Sequence, residues 1–563
     1  MKVVIVGGVA GGATAAARIR RLNEQAEIVV FERSGYISYA NCGLPYYIGD
    51  VITDPEELTL QTPESFFSRF RIMMKVLHEV TAIHHDRKTV SVRNLKTGEE
   101  FEEGYDKLIL SPGAKPTQPK LSGMEANKLF TLRTVEDTFK IKAYINNNHP
   151  KSAVIAGGGF IGLELAENLR ELGMDVTIVQ SQKQLMMPFD SDMAAFIHAE
   201  VRKHGIHLVL GHKVEGFIEK DGGVNVLLSD GTSLPGDIAV LAIGVTPDTH
   251  LAKEAGLELG VRGSIVVNDR METSVPDIYA AGDAVQVKHF VTDEDTLISL
   301  AGPANKQGRI IADNICGGDS RYMGSQGSSV IKVFDLTAAS TGINETHAKN
   351  AGLNADTVIL SPMSHAGYYP GGKVMTMKVV FEKETYRLLG AQIVGYEGVD
   401  KRIDVLATAI HAGLKATQLK DLDLAYAPPY SSAKDPVNMA GFMIDNIAKG
   451  TLKQWHLEDM DKISRDKSVV LLDVRTVGEF NRGHMDGFKN IPVDELRERI
   501  NEIEKGKPVY LICQSGLRSY IASRILEGNG YETYNFSGGF RFYDAVVNDR
   551  ALIEKAYACG MDY

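Results

Sequence analysis

Two of the four cysteines lie in segments where a thiol could react. Cys513 opens the segment CQSGLRS, between a predicted strand and a predicted helix. Backbone amides at a helix N-terminus stabilise anions, so this loop would favour a thiolate or a persulfide anion on Cys513. Cys42 lies in the segment SYANCGLPYY, with no second cysteine nearby. These segments indicate redox and transfer chemistry at sulfur.

The length of the Cys513 loop distinguishes between two chemistries. Arg518 follows Cys513 after four intervening residues, and it either tightens the loop or faces an anion. This C-x4-R spacing fits a sulfur-sized pocket, whereas phosphatases with a similar cysteine loop use the longer C-x5-R spacing. The spacing therefore favours transfer of sulfane sulfur over phosphatase chemistry.

The sequence around this loop resembles the rhodanese family. Residues 472–492 carry LDVR, EF, GH and NIP, as in the rhodanese N-terminal signature, and FSGGF near residue 538 resembles the end of that fold. We expect Asp473 and Arg475 to form a structural pair rather than to act as catalysts. We expect His484 to be a buried hydrogen-bonding residue rather than a base.

Two glycine-rich turns would position other groups near Cys42. Each follows a run of apolar strand formers and opens a helix, and their sequences are GGVAGG at 7–12 and GGGFIG at 157–162. The second is a full G-x-G-x-x-G match, whereas Val9 replaces the middle glycine of the first. Glycines let backbone amides approach a pyrophosphate. We therefore expect two dinucleotides that pass electrons between them.

The residue that ends the next strand indicates which nucleotide each turn binds. Glu32 ends the first such strand and is a carboxylate suited to a ribose hydroxyl. Gln180 occupies the same place in the second unit and is neutral. Because no arginine is adjacent to Gln180, NADH is favoured, but NADPH stays possible.

The segment TSVPDIYAAGD at 273–283 resembles the second FAD fingerprint of the two-dinucleotide-binding flavoprotein disulfide reductases, and 108–114 and 241–244 resemble their crossover strands. This resemblance covers roughly residues 1–445. It implies an FAD domain split around an NAD domain. The FAD contacts it implies are Gly7, Gly11, Gly12, Glu32, Arg33, Ser111, Gly113, Gly282 and Asp283. The NAD contacts are Gly157, Gly159, Ile161, Gly162, Gln180 and Gly244.

The expected fold class is α/β: two Rossmann-like dinucleotide-binding domains, an α+β dimerisation domain and a C-terminal α/β rhodanese domain. The expected boundaries are 1–112 and 246–325 for the FAD-binding domain, 113–245 for the NAD(P)H-binding domain, 326–447 for the dimerisation domain, 448–461 for a linker and 462–563 for the rhodanese domain.

In flavoprotein disulfide reductases the Cys42 segment lies beside the flavin, and many members carry C-x4-C. Here Tyr47 stands at the second cysteine position. Three interpretations of Cys42 compete: a mixed disulfide or persulfide with a small thiol, a sulfenic acid, and an unreactive buried residue. The peroxidase-like branch has a histidine where this chain has Ala10. This difference counts against peroxide or oxygen as substrate.

The motifs NCGLPY and G-x-V-A-G-G resemble coenzyme A-disulfide reductases and their persulfide-reductase relatives. By that resemblance the chain forms a homodimer with a shared active site. Tyr368 and Tyr426 would donate hydrogen bonds to the sulfur leaving group at the partner's Cys42, although each could instead be interface packing. Coenzyme A would be a bound substrate or carrier, with contacts at Thr14, Arg18, Arg21, Ser38, Asn41, Arg71 and Lys434. Any of these basic residues could equally be solvated.

The resemblance implies an NADH-driven, FAD-dependent reductase of coenzyme A persulfide or polysulfide that releases hydrosulfide through Cys42, while Cys513 handles sulfane sulfur. One alternative is a coenzyme A-disulfide reductase with an accessory rhodanese. An alternative of another class is a protein that traffics or senses persulfide.

Composition limits the remaining possibilities. The net charge of −11 disfavours nucleic-acid binding, and no apolar run reaches the ~18 residues of a membrane span. The four cysteines are sparse and unpaired in spacing, so neither a disulfide scaffold nor a metal site is expected. We expect a cytoplasmic protein. Cys316 and Cys559 are assigned no role.

Overall fold

The computed structural model describes residues 1–558, so Cys559 lies outside the described residues. The chain divides into two compact units. One contains Met1–Gln182 and Gly205–Gly327, and the other contains Lys183–His204 and everything from Ser328 onward.

The first unit contains a five-stranded parallel sheet around the N-terminal strand. Val3, Val4 and Ile5 are fully buried, as expected for a strand covered on both faces. The helix Ala10–Leu22 follows this strand and packs on Ala301–Ile315, at a point where Gly308 lies against the Gly11 carbonyl. The sheet order is Ile278–Ala280, Lys107–Leu110, Lys2–Val6, Glu27–Glu32 and Met73–Val76.

A second five-stranded parallel sheet lies in the same unit. Its order is His207–Leu210, Asp175–Gln180, Ser152–Ala156, Ile238–Leu241 and Leu129–Thr131. Its helices Val135–Asn148 and Phe160–Glu171 each bury one apolar face. The strands Ala114–Pro116 and Val245–Pro247 pair antiparallel, next to the expected limits of the inserted domain at residues 113 and 245.

Smaller elements complete the first unit. Two antiparallel three-stranded sheets comprise His78–His84, Thr89–Asn94 and Glu100–Gly104, and Val214–Lys220, Gly223–Leu228 and Ser233–Gly236. The short helices are Leu44–Ile48, Pro63–Phe70 and His250–Glu254.

The second unit contains an antiparallel sheet in the order Ser329–Val333, Leu336–Gly342, Leu388–Gly395, Met375–Glu382 and Ala355–Leu360. The helices that accompany it are Glu345–Asn350, Val399–His411 and Pro436–Ala448. Lys378 is buried in this sheet, and its ammonium pairs with Asp190 at 3.1 Å and Asp192 at 2.8 Å. A buried charge needs such partners, so the network holds the segment that starts the helix Ser191–Lys203.

The C-terminal part of this unit has its own parallel sheet in the order Gln454–Trp455, Thr533–Phe536, Val509–Ile512, Val470–Asp473 and Lys489–Asn490. Its helices are Met460–Ile463, Val477–Arg482, Leu517–Gly528 and Gly539–Ala558. Gln454–Trp455 lies inside the segment 448–461, for which a linker was expected. Trp455 is 2% exposed and packs on Phe536. Burial of the large indole stabilises this short strand at the edge of the sheet.

The last helix also contacts the helix Ser191–Lys203. Asp549 accepts hydrogen bonds from His198 Nδ1 at 2.8 Å and Arg202 at 2.5 Å. His198 Nε2 accepts the Leu185 backbone N–H at 2.9 Å, so the ring proton lies on Nδ1. Within residues 1–558, no helix combines the length and apolar character that crossing a bilayer requires.

Candidate active sites

The first glycine turn is a backbone cradle that side chains would obstruct. Gly7 has a φ of +98°, and a Cβ there would collide with the Ser111 carbonyl. A Cβ on Gly12 would collide with the Gly7 carbonyl. Only glycine therefore lets the strand turn directly into the helix and leaves amides free for a pyrophosphate.

Glu32 lies beside this turn as the sequence predicts. Its carboxylate accepts the Gly8 N–H at 2.8 Å and the Ser34 N–H at 2.9 Å. Burial raises the pKa of Glu32, although these two amides act in the opposite direction. A buried carboxylate held by amides at the turn is suited to a ribose hydroxyl.

A cavity of about 460 Å³ opens next to Gly7 and Glu32. Arg33 and Lys115 line it and both pair with Asp248, at 2.8 and 3.6 Å respectively. The cavity volume, the carboxylate and the adjoining cradle fit the adenosine half of a dinucleotide.

The other predicted flavin contacts gather near the first turn. Ser111 Oγ lies close to where Cβ atoms on Gly11 and Gly282 would be, and Gly113 has a φ of +72°. The Gly282 N–H donates to the side chain of Gln307 at 2.8 Å. Asp283 accepts from Arg133 at 2.5 Å. Arg133 and Gln307 were not predicted as site residues, since neither lies in a fingerprint.

The second glycine turn repeats this geometry. Gly157 has a φ of +120°, and a Cβ on Gly162 would collide with the Gly157 carbonyl. Gly159 and Gly244 face open space. The Gly158 N–H donates to Gln180 Oε1 at 3.1 Å, as the equivalent amide does to Glu32. Ile161 lies in the first turn of the helix Phe160–Glu171.

Cys42 lies on the single turn Asn41–Gly43 and is exposed. The helix Leu44–Ile48 follows and packs on the helices Val135–Asn148 and Phe160–Glu171. At the position of a second cysteine, Tyr47 makes an edge contact with Phe139, with ring centroids 5.6 Å apart. The Tyr47 side chain therefore has a packing role.

The surroundings of Cys42 in the first unit do not favour its thiolate. Although the residue is exposed, burial of its sulfur is the main cause that raises the thiol's pKa, and the charges of Glu164 and Asp283 raise it further. Arg133 lowers it. Burial and Glu167 raise the pKa of Glu164 to about 7. Burial raises the pKa of the nearby Tyr46 to about 12.

Glu164, a neighbour of Cys42, was not predicted as a site residue. It lies on the helix that the second glycine turn opens, two residues after Gly162. A carboxylate so close to a dinucleotide turn is the signal that could have identified it. Its approach to Cys42 depends on how the two helices pack.

The predicted coenzyme A contacts in the first unit are dispersed among several environments. Thr14 hydrogen-bonds Asn305, and Arg18 pairs with Asp313 at 2.8 Å. Ser38 and Arg71 have φ values of 46° and 51°. Arg21 and Arg71 are exposed, and Asn41 and Ser38 are half-buried.

In the second unit, Tyr368 and Tyr426 meet as a pair. Their hydroxyls lie 2.6 Å apart, and the side chains are 76% and 45% exposed. The hydrogen bond to Tyr368 raises the pKa of Tyr426. Lys434 is also exposed. Next to it the buried Asp435 pairs with Arg402 at 3.0 Å, which holds this loop in place.

The Cys513 loop is built as an anion cradle. Cys513 is 1% exposed, and its Sγ lies 3.1 Å from the Gly516 N–H and 3.2 Å from Ser519 Oγ. Gly516 has a φ of +101°, which turns its amide into the loop. The Cys513 carbonyl accepts the Phe540 N–H at 2.8 Å, so the predicted Gly-Gly segment supports the loop from behind.

Arg518 faces a carboxylate of the chain itself. Its two terminal nitrogens donate to Glu479, each at 2.7 Å. Arg518 holds the pKa of Glu479 at about 2. This pair ties the loop to the helix Val477–Arg482, which supports the interpretation that Arg518 tightens the loop.

Two other expectations for this domain have different outcomes. Asp473 and Arg475 are buried and paired at 2.7 Å, as expected. His484 is exposed, so the expectation of a buried histidine is wrong. The expected hydrogen bond is present, since His484 Nδ1 lies 3.0 Å from the Phe480 carbonyl oxygen. The two rings also stack, with their centroids 3.8 Å apart.

Comparisons with known proteins agree with this geometry. The pyridine nucleotide-disulphide oxidoreductase model matches residues 1–308, its dimerisation domain matches 328–436, and the rhodanese-like domain matches 456–545. A coenzyme A disulfide reductase of Staphylococcus aureus (strain JH9) is 38% identical over 442 residues, covering 78% of this chain and 99% of that protein.

Two solved structures extend over almost the whole chain. The reduced Bacillus anthracis CoADR-RHD is 49% identical, with a TM-score of 0.95 and 98% of each chain covered. A NAD-dependent persulfide reductase from A. fulgidus is 39% identical, with a TM-score of 0.90, covering 96% of this chain and 100% of that chain. The expected fold class is confirmed: the chain belongs to the pyridine nucleotide-disulphide oxidoreductase family and carries a C-terminal rhodanese-like domain.

Proposed function

We propose that this protein is an NADH- and FAD-dependent reductase of coenzyme A persulfide or polysulfide, in which Cys42 is the reacting thiol. The observation that carries the proposal is that one chain contains two kinds of sulfur site. Cys42 is unpaired and lies in the unit with the two glycine turns, and Cys513 lies in a loop whose Gly516 amide faces its sulfur. A lone redox cysteine uses either a sulfur partner from outside the chain or another oxidised state of its own sulfur, and a rhodanese-like domain, which handles sulfane sulfur, favours the first.

The two glycine turns fit the two cofactors. The first turn, Glu32 and the 460 Å³ cavity would hold FAD, and the second turn with Gln180 would hold NADH. When bound, FAD takes an electron pair from NADH and supplies it for sulfur reduction. The lack of an arginine adjacent to Gln180 favours NADH over NADPH.

In the first step, the Cys42 thiolate attacks the inner sulfur of the coenzyme A persulfide. A Cys42–coenzyme A disulfide forms, the sulfur–sulfur bond of the persulfide breaks, and hydrosulfide leaves. Two electrons and one proton then return this mixed disulfide to the Cys42 thiolate and the coenzyme A thiol. Overall, NADH, one proton and the persulfide yield NAD⁺, hydrogen sulfide and coenzyme A.

The chain's own groups would assist departure of the leaving sulfur. In the proposed homodimer, the hydroxyls of Tyr368 and Tyr426 from the second copy donate hydrogen bonds to it. Such a donor stabilises a developing thiolate and speeds its release. Thr14, Arg18, Arg21, Ser38, Asn41, Arg71 and Lys434 would contact coenzyme A. A cytoplasmic location belongs to the same proposal.

Cys513 would accept or deliver sulfane sulfur as a persulfide. Its buried sulfur and the Gly516 amide support this role, since they stabilise a compact anion. Sulfur would pass between Cys513 and Cys42 either directly or through coenzyme A.

Steady-state assays test the proposal. NADH oxidation is measured with coenzyme A persulfide, coenzyme A disulfide and polysulfide, in the wild type, Cys42→Ser and Cys513→Ser. We expect Cys42→Ser to lose all three activities and the persulfide to give the highest kcat/KM. Full persulfide activity in Cys42→Ser would overturn the mechanism.

A second candidate is a coenzyme A-disulfide reductase with an accessory rhodanese. The name of the Staphylococcus aureus relative, which aligns over 78% of this chain, favours it. A higher kcat/KM for coenzyme A disulfide than for any sulfane-sulfur substrate would support this candidate. Slow turnover of every substrate together with fast loading of Cys513 would instead indicate persulfide trafficking or sensing.

A further inference from the structure

Ser519 lies next to the reacting sulfur of the rhodanese-like domain. It is fully buried near the start of the helix Leu517–Gly528. Its Oγ lies 3.2 Å from Cys513 Sγ and 3.1 Å from the Gly516 carbonyl oxygen. A hydroxyl has one proton, so it donates to only one of these two acceptors at a time.

Other donors to the Gly516 carbonyl make this choice possible. The Tyr520 backbone N–H donates to it at 3.1 Å, and Asn535 Nδ2 donates to it at 3.3 Å. When the Ser519 hydroxyl turns toward Cys513, the carbonyl therefore keeps two donors. A buried acceptor left without a donor would carry a free-energy cost, which these two donors remove.

We propose that Ser519 is a catalytic residue of sulfur transfer at Cys513, whose hydroxyl donates a hydrogen bond to Sγ whenever that sulfur carries negative charge. The hydroxyl returns to the Gly516 carbonyl when the sulfur is neutral. This inference rests on the proposed function, because it assumes that Cys513 carries sulfane sulfur.

The charge on Sγ changes during transfer. When Cys513 takes up sulfur, its thiolate attacks the outer sulfur of a donor persulfide, a new sulfur–sulfur bond forms at Sγ, and the donor leaves as a thiolate. When it gives sulfur up, a nucleophile attacks the outer sulfur of the Cys513 persulfide, and Sγ leaves as a thiolate. Electrons and atoms balance in both directions, and Ser519 stabilises the Sγ charge at the point of departure.

The same helix offers a matched control. Ser523 lies one turn after Ser519, is 2% exposed, and donates its hydroxyl to the Tyr520 carbonyl at 2.8 Å. Ser523→Ala removes one buried hydroxyl from the same helix without removing the donor to Cys513. Any general loss of helix stability would appear in both variants.

The test uses the full-length holoenzyme as wild type, Ser519→Ala, Ser519→Thr, Ser519→Cys and Ser523→Ala. Iodoacetamide alkylation of Cys513 is followed by peptide mass spectrometry against pH. In Ser519→Ala we expect the pH midpoint of alkylation to rise. We expect sulfur release from the Cys513 persulfide to cyanide, which gives thiocyanate, to slow by roughly 10- to 100-fold, the effect of one hydrogen bond to a charged sulfur.

The other variants decide the interpretation. Ser519→Thr keeps the hydroxyl and should retain both properties, and Ser523→Ala should match the wild type. Ser519→Cys preserves the volume with a weaker donor, so it gives an intermediate shift even if Ser519→Ala fails to fold. NADH-driven reduction of coenzyme A disulfide should be unchanged throughout.

An unchanged alkylation profile in Ser519→Ala and Ser519→Cys would overturn the inference, as would an equal loss in Ser523→Ala. If wild-type Cys513 takes up no sulfur at all, the rhodanese part of the proposed function fails. The alkylation profile still tests the hydrogen bond from Ser519 in that case.

Discussion

The two reactive cysteines occupy opposite kinds of environment. Cys513 is buried, and a backbone amide and a hydroxyl aim at its sulfur. Cys42 is exposed, and burial of its sulfur together with Glu164 raises its pKa. A backbone amide and a hydroxyl of its own domain face Cys513, whereas Arg133 is the cause within the first unit that lowers the pKa of Cys42. The difference fits the proposed roles, in which Cys513 carries sulfane sulfur and Cys42 is the thiol at which sulfur is reduced.

The largest effect is expected from Cys42→Ser, which should abolish reduction without affecting Cys513. Cys42→Ser should lower NADH-driven reduction by at least about 10³-fold, because among the described residues no other thiol lies on the turn Asn41–Gly43. Loading of Cys513 by a persulfide donor should be unaffected. Cys316→Ser, at the end of the helix Ala301–Ile315, is the control and should behave as the wild type. Residual NADH-driven activity above a few per cent in Cys42→Ser would show that reduction does not depend on Cys42.

A smaller effect is expected from the tyrosine pair. Tyr426→Phe and Tyr368→Phe should each slow reduction through Cys42 by about 10-fold, because a hydrogen bond to the leaving sulfur is lost. Cyanide-dependent sulfur release from Cys513 should not change. Stopped-flow kinetics measures both reactions. Tyr430→Phe, a neighbouring exposed tyrosine, is the control. Equal rates in all three variants would assign the pair to packing.

Glu479 should make the rhodanese-like domain sensitive to acid. Its pKa falls from 4.5 to about 2 on pairing with Arg518, so the stabilisation is present above about pH 5 and is lost as the pH falls towards 2. Glu479→Gln should remove on the order of 1–2 kcal/mol of this domain's stability at pH 7, after allowance for the partial exposure of the pair. Urea unfolding at pH 7 and pH 3 measures it. A wild-type domain equally stable at both values would contradict this assignment.

The smallest predicted effect concerns the charge near Cys42. Glu164→Gln removes a negative neighbour, so the pKa of Cys42 should fall and alkylation at pH 7 should accelerate a few-fold. Arg133→Met should act in the opposite direction. Glu171→Gln, on the last turn of the same helix, is the control. Shifts of the same sign in Glu164→Gln and Arg133→Met would show that packing, not charge, sets the reactivity.

Local patterns predicted the main elements because each depends on residues adjacent in the chain. The glycine turns follow from steric limits at positions such as Gly7 and Gly12, where a Cβ would meet a carbonyl. The Asp473–Arg475 pair could be predicted for the same reason. The strand at Trp455 could not, because its pairing partner, Thr533–Phe536, lies far along the chain.

The sequence by itself determined two nucleotide turns, a lone Cys42 with Tyr47 at the second position, and a C-x4-R loop at Cys513. The tertiary structure alone decided which side chains face those sulfurs. Glu164 and Arg133 approach Cys42 through helix packing, and Glu479 captures Arg518 from another helix. Motifs are read along the backbone, but charge and hydrogen bonding act across space, so the environment of each sulfur appears only once distant segments have packed.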